Sequence, residues 1–187
     1  MTGYATTTIE HAFAAHFDEP QWASFTTDTG AKVVTFTGRI NARLHAKTVE
    51  RLAREIDDLK KSIGEPLLAE TAELNQLLNL FQPAYRFLKD KPELWQLQQK
   101  WGCPEIKPAN LLGGWTGELP YCGTNAIRPF LREAIKAWAG EAVWPIGTPV
   151  SVQWTIHVNG QSFSLTHTSS EAWTGVQLEE ILNMLYE

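Results

Sequence analysis

The side chains able to do chemistry are few and widely spaced. His11, His16, His157, His167, Cys103 and Cys122 are the first candidates. A metal site wants paired ligands, such as Cys-x-x-Cys or histidines four apart on a helix. His11 and His16 are five residues apart, which turns one about 140° from the other on a helix. Cys103 and Cys122 are nineteen apart with no companion pair. No metal is expected, and no residue pattern calls for a cofactor. Cys122 lies three residues before Asn125, a suitable helix N-cap, where the helix dipole would favour the thiolate. Paired with His167 or His157 it would make a nucleophile and base. Cys122 and His167 are therefore the catalytic candidates. Against this stand an inert buried thiol and a rim histidine bonded to a carbonyl.

The glycine-rich stretch Leu111–Glu118 lacks the Lys-Ser/Thr of a phosphate loop, and its glycines do not match the dinucleotide fingerprint. It belongs to an irregular segment from Gly102 to Thr124, and a long structureless loop in a compact domain is usually functional or disordered. Trp115 and Tyr121, with Glu118 between them, suit a protein-binding surface. The competing reading makes Trp115 a plug for the core. The carboxylate pairs Asp57-Asp58, Glu179-Glu180 and Glu70 with Glu73 all fall on polar helix faces and read as solvated surface.

Composition narrows the classes. The chain has 187 residues, 43% of them apolar, and a net charge of −5. This length can bury an ordinary core unaided. The acidic balance disfavours phosphate-backbone binding, unless Arg39, Arg43 and Lys47 cluster, and it is too mild for a nucleic-acid mimic. The first ten residues show no signal peptide, and no window is apolar enough to span a membrane. The loop location of Cys103 and Cys122 would permit one bridge, but without an export signal a cytoplasmic protein with two free thiols is the expectation. Eight tryptophans are many for this length. Most should be core, and a clustered remainder would mark a binding face.

The elements that would position these groups follow from periodicity. Thr7 and Glu10 form a capping box for a short helix carrying Ile9, Phe13 and Phe17, with His16 at the stripe's border and Pro20 as its stop. Strands 22–27 and 32–37 flank Asp28-Thr29-Gly30, a hairpin loop. Helices are expected over 47–63, from Pro66 until Pro83 interrupts, from Pro92, and over 126–139, with Pro129 confined to a first turn.

The last unit is the most legible. An Asn159-Gly160 turn pairs Ile156 with Phe163, Trp154 with Leu165, and Val152 with His167. That register puts His167 on the apolar face and His157 on the polar one. Thr174 and Gln177 then cap a closing helix with Leu178, Ile181, Leu182 and Leu185 inward. This strand–strand–helix order resembles the opening of a ubiquitin-like β-grasp, and no function is carried from the resemblance. The two hairpins share Gln-Trp at positions 21–22 and 153–154, and Phe36 precedes Val49 by the same thirteen residues that separate Leu165 from Leu178. Internal duplication is one reading, and chance recurrence of a common unit is the other.

The fold class expected is α+β: two hairpin-plus-helix modules around an antiparallel sheet, with a central helical insert. One domain over 1–187 divides into 1–64, an insert 65–147 holding loop 102–124, and 148–187. The function expected is a non-enzymatic intracellular factor that binds another protein through the aromatic loop or a sheet edge. The alternative is a small-molecule enzyme or ligand binder with a pocket near Cys122 and His167.

Overall fold

A computed structural model describes residues 9–59, 61, 65–103, 124–157, 162–173, 176 and 178–186. The elements run α1 (Ile9–His16), β1 (Phe17–Thr26), β2 (Lys32–Ile40), α2 (Ala42–Asp58), α3 (Pro66–Leu88), α4 (Pro92–Trp101), α5 (Thr124–Ala142), β3 (Pro149–Ile156), β4 (Phe163–Ser169) and α6 (Leu178–Tyr186). The fold is α+β, and the two hairpins join in one antiparallel sheet of order β1-β2-β3-β4. The chain forms two compact units, 1–48 with 143–187, and 49–142.

The sheet unit is organised by parity. Phe36 lies between Trp22 and Val152 in the pairing, and Val34 lies between Ser24 and Trp154. Phe36, Ile40, Val150, Val152 and Trp154 are buried with Phe13 of α1 and Ile181, Met184 and Leu185 of α6. The other, open face carries Gln21 and Thr37 exposed and Thr35, Gln153 and Thr155 half-buried, with Val33 buried beside Phe25.

Two bulges keep the core side chains on one face. In β1, Glu19 and Pro20 both stand against Gly38, between the Asp18–Arg39 and Gln21–Thr37 pairs. Phe17 and Trp22 are five apart and would face opposite ways in a regular strand. The extra residue resets the parity, so both reach the aromatic core. Pro20 therefore sits in a strand, and α1 ends four residues earlier, at His16. In β4 the register shifts between Gln153 and Trp154. Thr166 is the extra residue, its hydroxyl donating to the Gln153 carbonyl at 3.2 Å. The turn-proximal pairs match expectation, but Val152 pairs with Thr168 and His167 pairs with Gln153.

Gly30 closes the first hairpin at φ +83°, the left-handed turn position expected of it. Helix α2 begins at Ala42, five residues before the expected start. Asn41 explains this, since its side-chain oxygen accepts the Leu44 N–H at 3.0 Å, an N-cap not picked out from the sequence. Residues 60 and 62–64 lie outside the described residues.

The helical unit packs α3, α4 and α5 around Leu77, Phe81, Leu88, Phe130, Leu131 and Ile135. Pro83 and Pro129 do not break α3 and α5, contrary to expectation. Each proline removes one N–H from a carbonyl four residues earlier, Asn79 and Asn125 respectively. Both asparagines are exposed, so water can satisfy the released groups while the buried faces hold the helix. Gly102 ends α4 at φ +63°, and Cys103 N–H reaches the Gln98 carbonyl at 2.9 Å.

Gly38 stands where the first bulge meets the core. A Cβ there would lie 2.8 Å from a ring carbon of Phe36 and 3.1 Å from the Phe17 Cβ. Phe36 is wholly buried and cannot move aside. Gly38→Ala should therefore lose about 1–3 kcal/mol by urea denaturation. A wild-type midpoint would show that the bulge does not hold Phe36 in place.

Candidate functional site

Two sheet-unit surfaces are available for contact: the open face and the free edge of β1. The open face presents side chains in ranks. One rank runs Gln21, Thr37, Ser151, Ser169; the next runs Ala23, Thr35, Gln153, His167; a third runs Phe25, Val33, Thr155, Ser164. His157 continues the β3 alternation onto this face, where its Nε2 lies 2.7 Å from the Ser164 hydroxyl. Both histidines of the second hairpin thus share the open face. The expected separation, with His167 apolar-facing, is corrected by the Thr166 bulge.

His157 and Ser164 are within nucleophile–base reach. Both are exposed, and the described residues give the His157 Nδ1 no orienting acid. A catalytic serine needs that third group and a shaped oxyanion site. The pair reads as a surface hydrogen bond across two strands.

Edge strand β1 has nine of its ten residues exposed. Trp22 is 40% exposed and Phe25 is 50% exposed, one on each face of the strand. Trp22 stacks on Trp154 at 5.6 Å and 24°, and meets Phe36 at 4.9 Å. Its inner surface is therefore held by the core while its outer surface is free. At the start of the strand Arg39 donates to Glu19 at 3.1 Å and to the Gly147 carbonyl at 3.0 Å. Arg39 is thus committed to protein partners, which weakens its use on a phosphate backbone.

Cys122, Trp115, Glu118 and Tyr121 lie outside the described residues. Cys103 is buried at the end of α4 and is bonded in a disulfide, so the expected free thiol is corrected. Among the described residues no group of three His, Cys, Asp or Glu side chains could hold a metal ion. No helix among them is long and apolar enough to cross a membrane.

Three polar arrangements, two of them buried, escape sequence reading. Glu73, read as solvated, is 3% exposed. Arg132 of α5 bonds one carboxylate oxygen, and Arg128 lies 3.5 Å from the other. The signal was Arg128 and Arg132 four apart on one face of α5, but nothing in the sequence points them at Glu73. His45 of α2 sits 2.9 Å from the Val143 carbonyl and 3.1 Å from that of Trp144. His16, placed at the stripe's border, is inside it and 4% exposed. Its Nδ1 lies 2.7 Å from the Ala12 carbonyl and therefore carries the proton. Its Nε2 is buried with no partner among the described groups.

Burial pushes the His16 pKa down, the Ala12 bond partly opposes this, and Lys47 and Arg43 push it lower still. On α4 and α5, hydrogen bonds from the Lys100 amine and the Trp101 indole hold the Glu133 carboxyl below its usual range, although desolvation acts the other way.

No protein family, curated protein or solved structure matches this chain.

Three outcomes follow from these groups. The folded His16 pKa lies below its unfolded value of about 6.5, so protons bind the unfolded state better. Stability should be complete above that value and fall as pH drops from it toward the folded pKa. His16→Gln should flatten that slope in denaturation at pH 8 and pH 5, and an unchanged slope would exclude His16 as its source. Glu73→Ala leaves Arg132 without its carboxylate and Arg128 with only Glu70 at 3.8 Å, and should lose about 3 kcal/mol in thermal unfolding. A fluorophosphonate probe should leave Ser164 unlabelled in mass spectrometry, and stoichiometric labelling would make the His157 pair catalytic.

Proposed function

We propose that the protein is a non-enzymatic binding factor, an adaptor, inhibitor or accessory protein, that takes an extended segment of a partner protein along β1. The observation that carries this reading is a long exposed edge strand with Trp22 and Phe25 uncovered on its two faces. Among the described residues only one side of β1 is paired, so its outer N–H and C=O groups are a template for another strand. An incoming strand would lay alternate side chains beside Trp22 and beside Phe25.

The usable edge is short. Pro20 has no N–H to offer, Glu19 turns the backbone at φ +53°, and Asp18 and Glu19 place charge there. These are devices that protect an edge from indiscriminate pairing. They leave Gln21 to Thr26, an uncharged stretch, open to a partner. β4, the opposite edge, is shorter and kinked by its bulge.

The aromatic loop at Trp115, Glu118 and Tyr121 is the other surface the sequence offers to a protein partner. An enzyme built on Cys122 and His167 has less behind it, because His167 stands exposed on the open face. The cytoplasmic location expected from the sequence fits poorly with a disulfide at Cys103, since such bonds persist mainly in oxidising compartments. An oxidising compartment is the better proposal.

A displayed library of extended peptides tests the edge. Selected peptides should carry apolar residues at alternate positions and protect β1 backbone amides from hydrogen exchange. Phe25→Lys should weaken them at least about tenfold without lowering thermal stability, while Trp115→Ala with Tyr121→Ala should not. Protection elsewhere, or binding indifferent to Phe25→Lys, would sink the proposal.

A further inference from the structure

The end of the open face farthest from the Gly30 turn forms a groove of about 520 Å³. That size falls within the range of small-molecule sites. Its floor is the rank Gln21, Thr37, Ser151 and Ser169, one residue from each of the four strands. Neighbouring members are spaced by the strand separation, about 4.8 Å. None of the four side chains makes a hydrogen bond within the described protein, so all are available to a ligand. They supply three hydroxyls, each both donor and acceptor, and one amide.

The charges beside the rank narrow the ligand. Among the described residues Arg39 is the one cation lining the groove, and it is matched by Glu19 at 3.1 Å. Glu171 adds a second carboxylate to the wall. Among the described lining residues no cation is left unmatched, so a phosphate or carboxylate ligand finds no counter-charge to hold it. An apolar ligand would strip water from the whole polar rank without replacing its hydrogen bonds. A neutral molecule with several hydroxyls in sequence satisfies both constraints, because it can give and accept at each strand.

We propose that this groove is a binding site for a short neutral saccharide, held across the four strands by Gln21, Thr37, Ser151 and Ser169. The site shares Gln21 with the β1 edge but is separable from it. Phe25 is not in the groove, and Thr37 and Ser151 belong to the central strands.

The test is amide chemical-shift titration of the full chain with maltotriose, cellotriose and triacetylchitotriose at tens of millimolar, alongside sodium acetate and inorganic phosphate. At least one saccharide should move the resonances of Thr37, Ser151 and Ser169 saturably. Thr37→Val combined with Ser151→Ala should weaken it about tenfold or more, and Phe25→Lys should leave it unchanged. Both substituted positions face outward, and an unaltered melting temperature verifies the fold. Lack of response to all three saccharides, saccharide binding that survives the double substitution, or stronger binding of phosphate or acetate would each overturn the proposal.

Discussion

The sheet unit depends on the packing of aromatic rings drawn from α1, three strands and two connecting segments. Phe13 meets Phe36 edge-on at 4.6 Å and Trp154 edge-on at 5.4 Å. Phe17 meets Trp173 at 6.4 Å, and Trp144 meets the same Trp173 at 6.0 Å. Edge-to-face contacts of this kind add about 0.5–1.5 kcal/mol each beyond area burial. Their directional geometry matters as much. A ring that must meet its neighbour edge-on tolerates little change in strand register, so the two bulges and Gly38 are consequences of this cluster. Packing also tolerates a polar penalty here: the indole N–H groups of Trp154 and Trp173 are buried without an acceptor among the described groups.

This explains which parts of the fold were legible. Turn chemistry at Gly30 and alternation around Trp154 and Leu165 are local, and both survive in the structure. The bulges are not local. An alternating pattern with one extra residue still looks alternating on either side of it, so His167 was carried to the apolar face by a parity that Thr166 had already broken. Pro20 is a true signal with two meanings, because a proline in an edge strand at a bulge and a proline ending a helix share one sequence mark. Pro83 and Pro129 were overweighted for a related reason. Propensity describes an isolated helix, whereas the buried faces of α3 and α5 outweigh one lost hydrogen bond in each.

The site was less legible than the fold, and for a different reason. Hydroxyls and amides on alternate strand positions mark a solvent-facing surface whether or not it binds anything. Gln21, Thr37, Ser151 and Ser169 differ from the neighbouring ranks in being polar on all four strands and in lining the groove, and only the pairing of β2 with β3 joins the two hairpins' halves. Glu73 shows the same limit from the other side. Spacing placed it on a polar stripe, but Arg128 and Arg132 come from a helix more than fifty residues away in sequence and turn that stripe inward.

The aromatic cluster also bears on how the surface can act. Trp22 is the one ring of the cluster with a large exposed area, and its inner face is fixed by Trp154 and Phe36. A side chain so held presents an apolar surface with little rotamer freedom left to lose, which lowers the entropy that binding must overcome. Phe25 on the opposite face makes no such ring contact among the described residues. A strand docking at this edge would therefore be registered first by Trp22, with Phe25 adjusting to it. The rigidity that the core demands of β1 is the same rigidity that suits β1 to recognition.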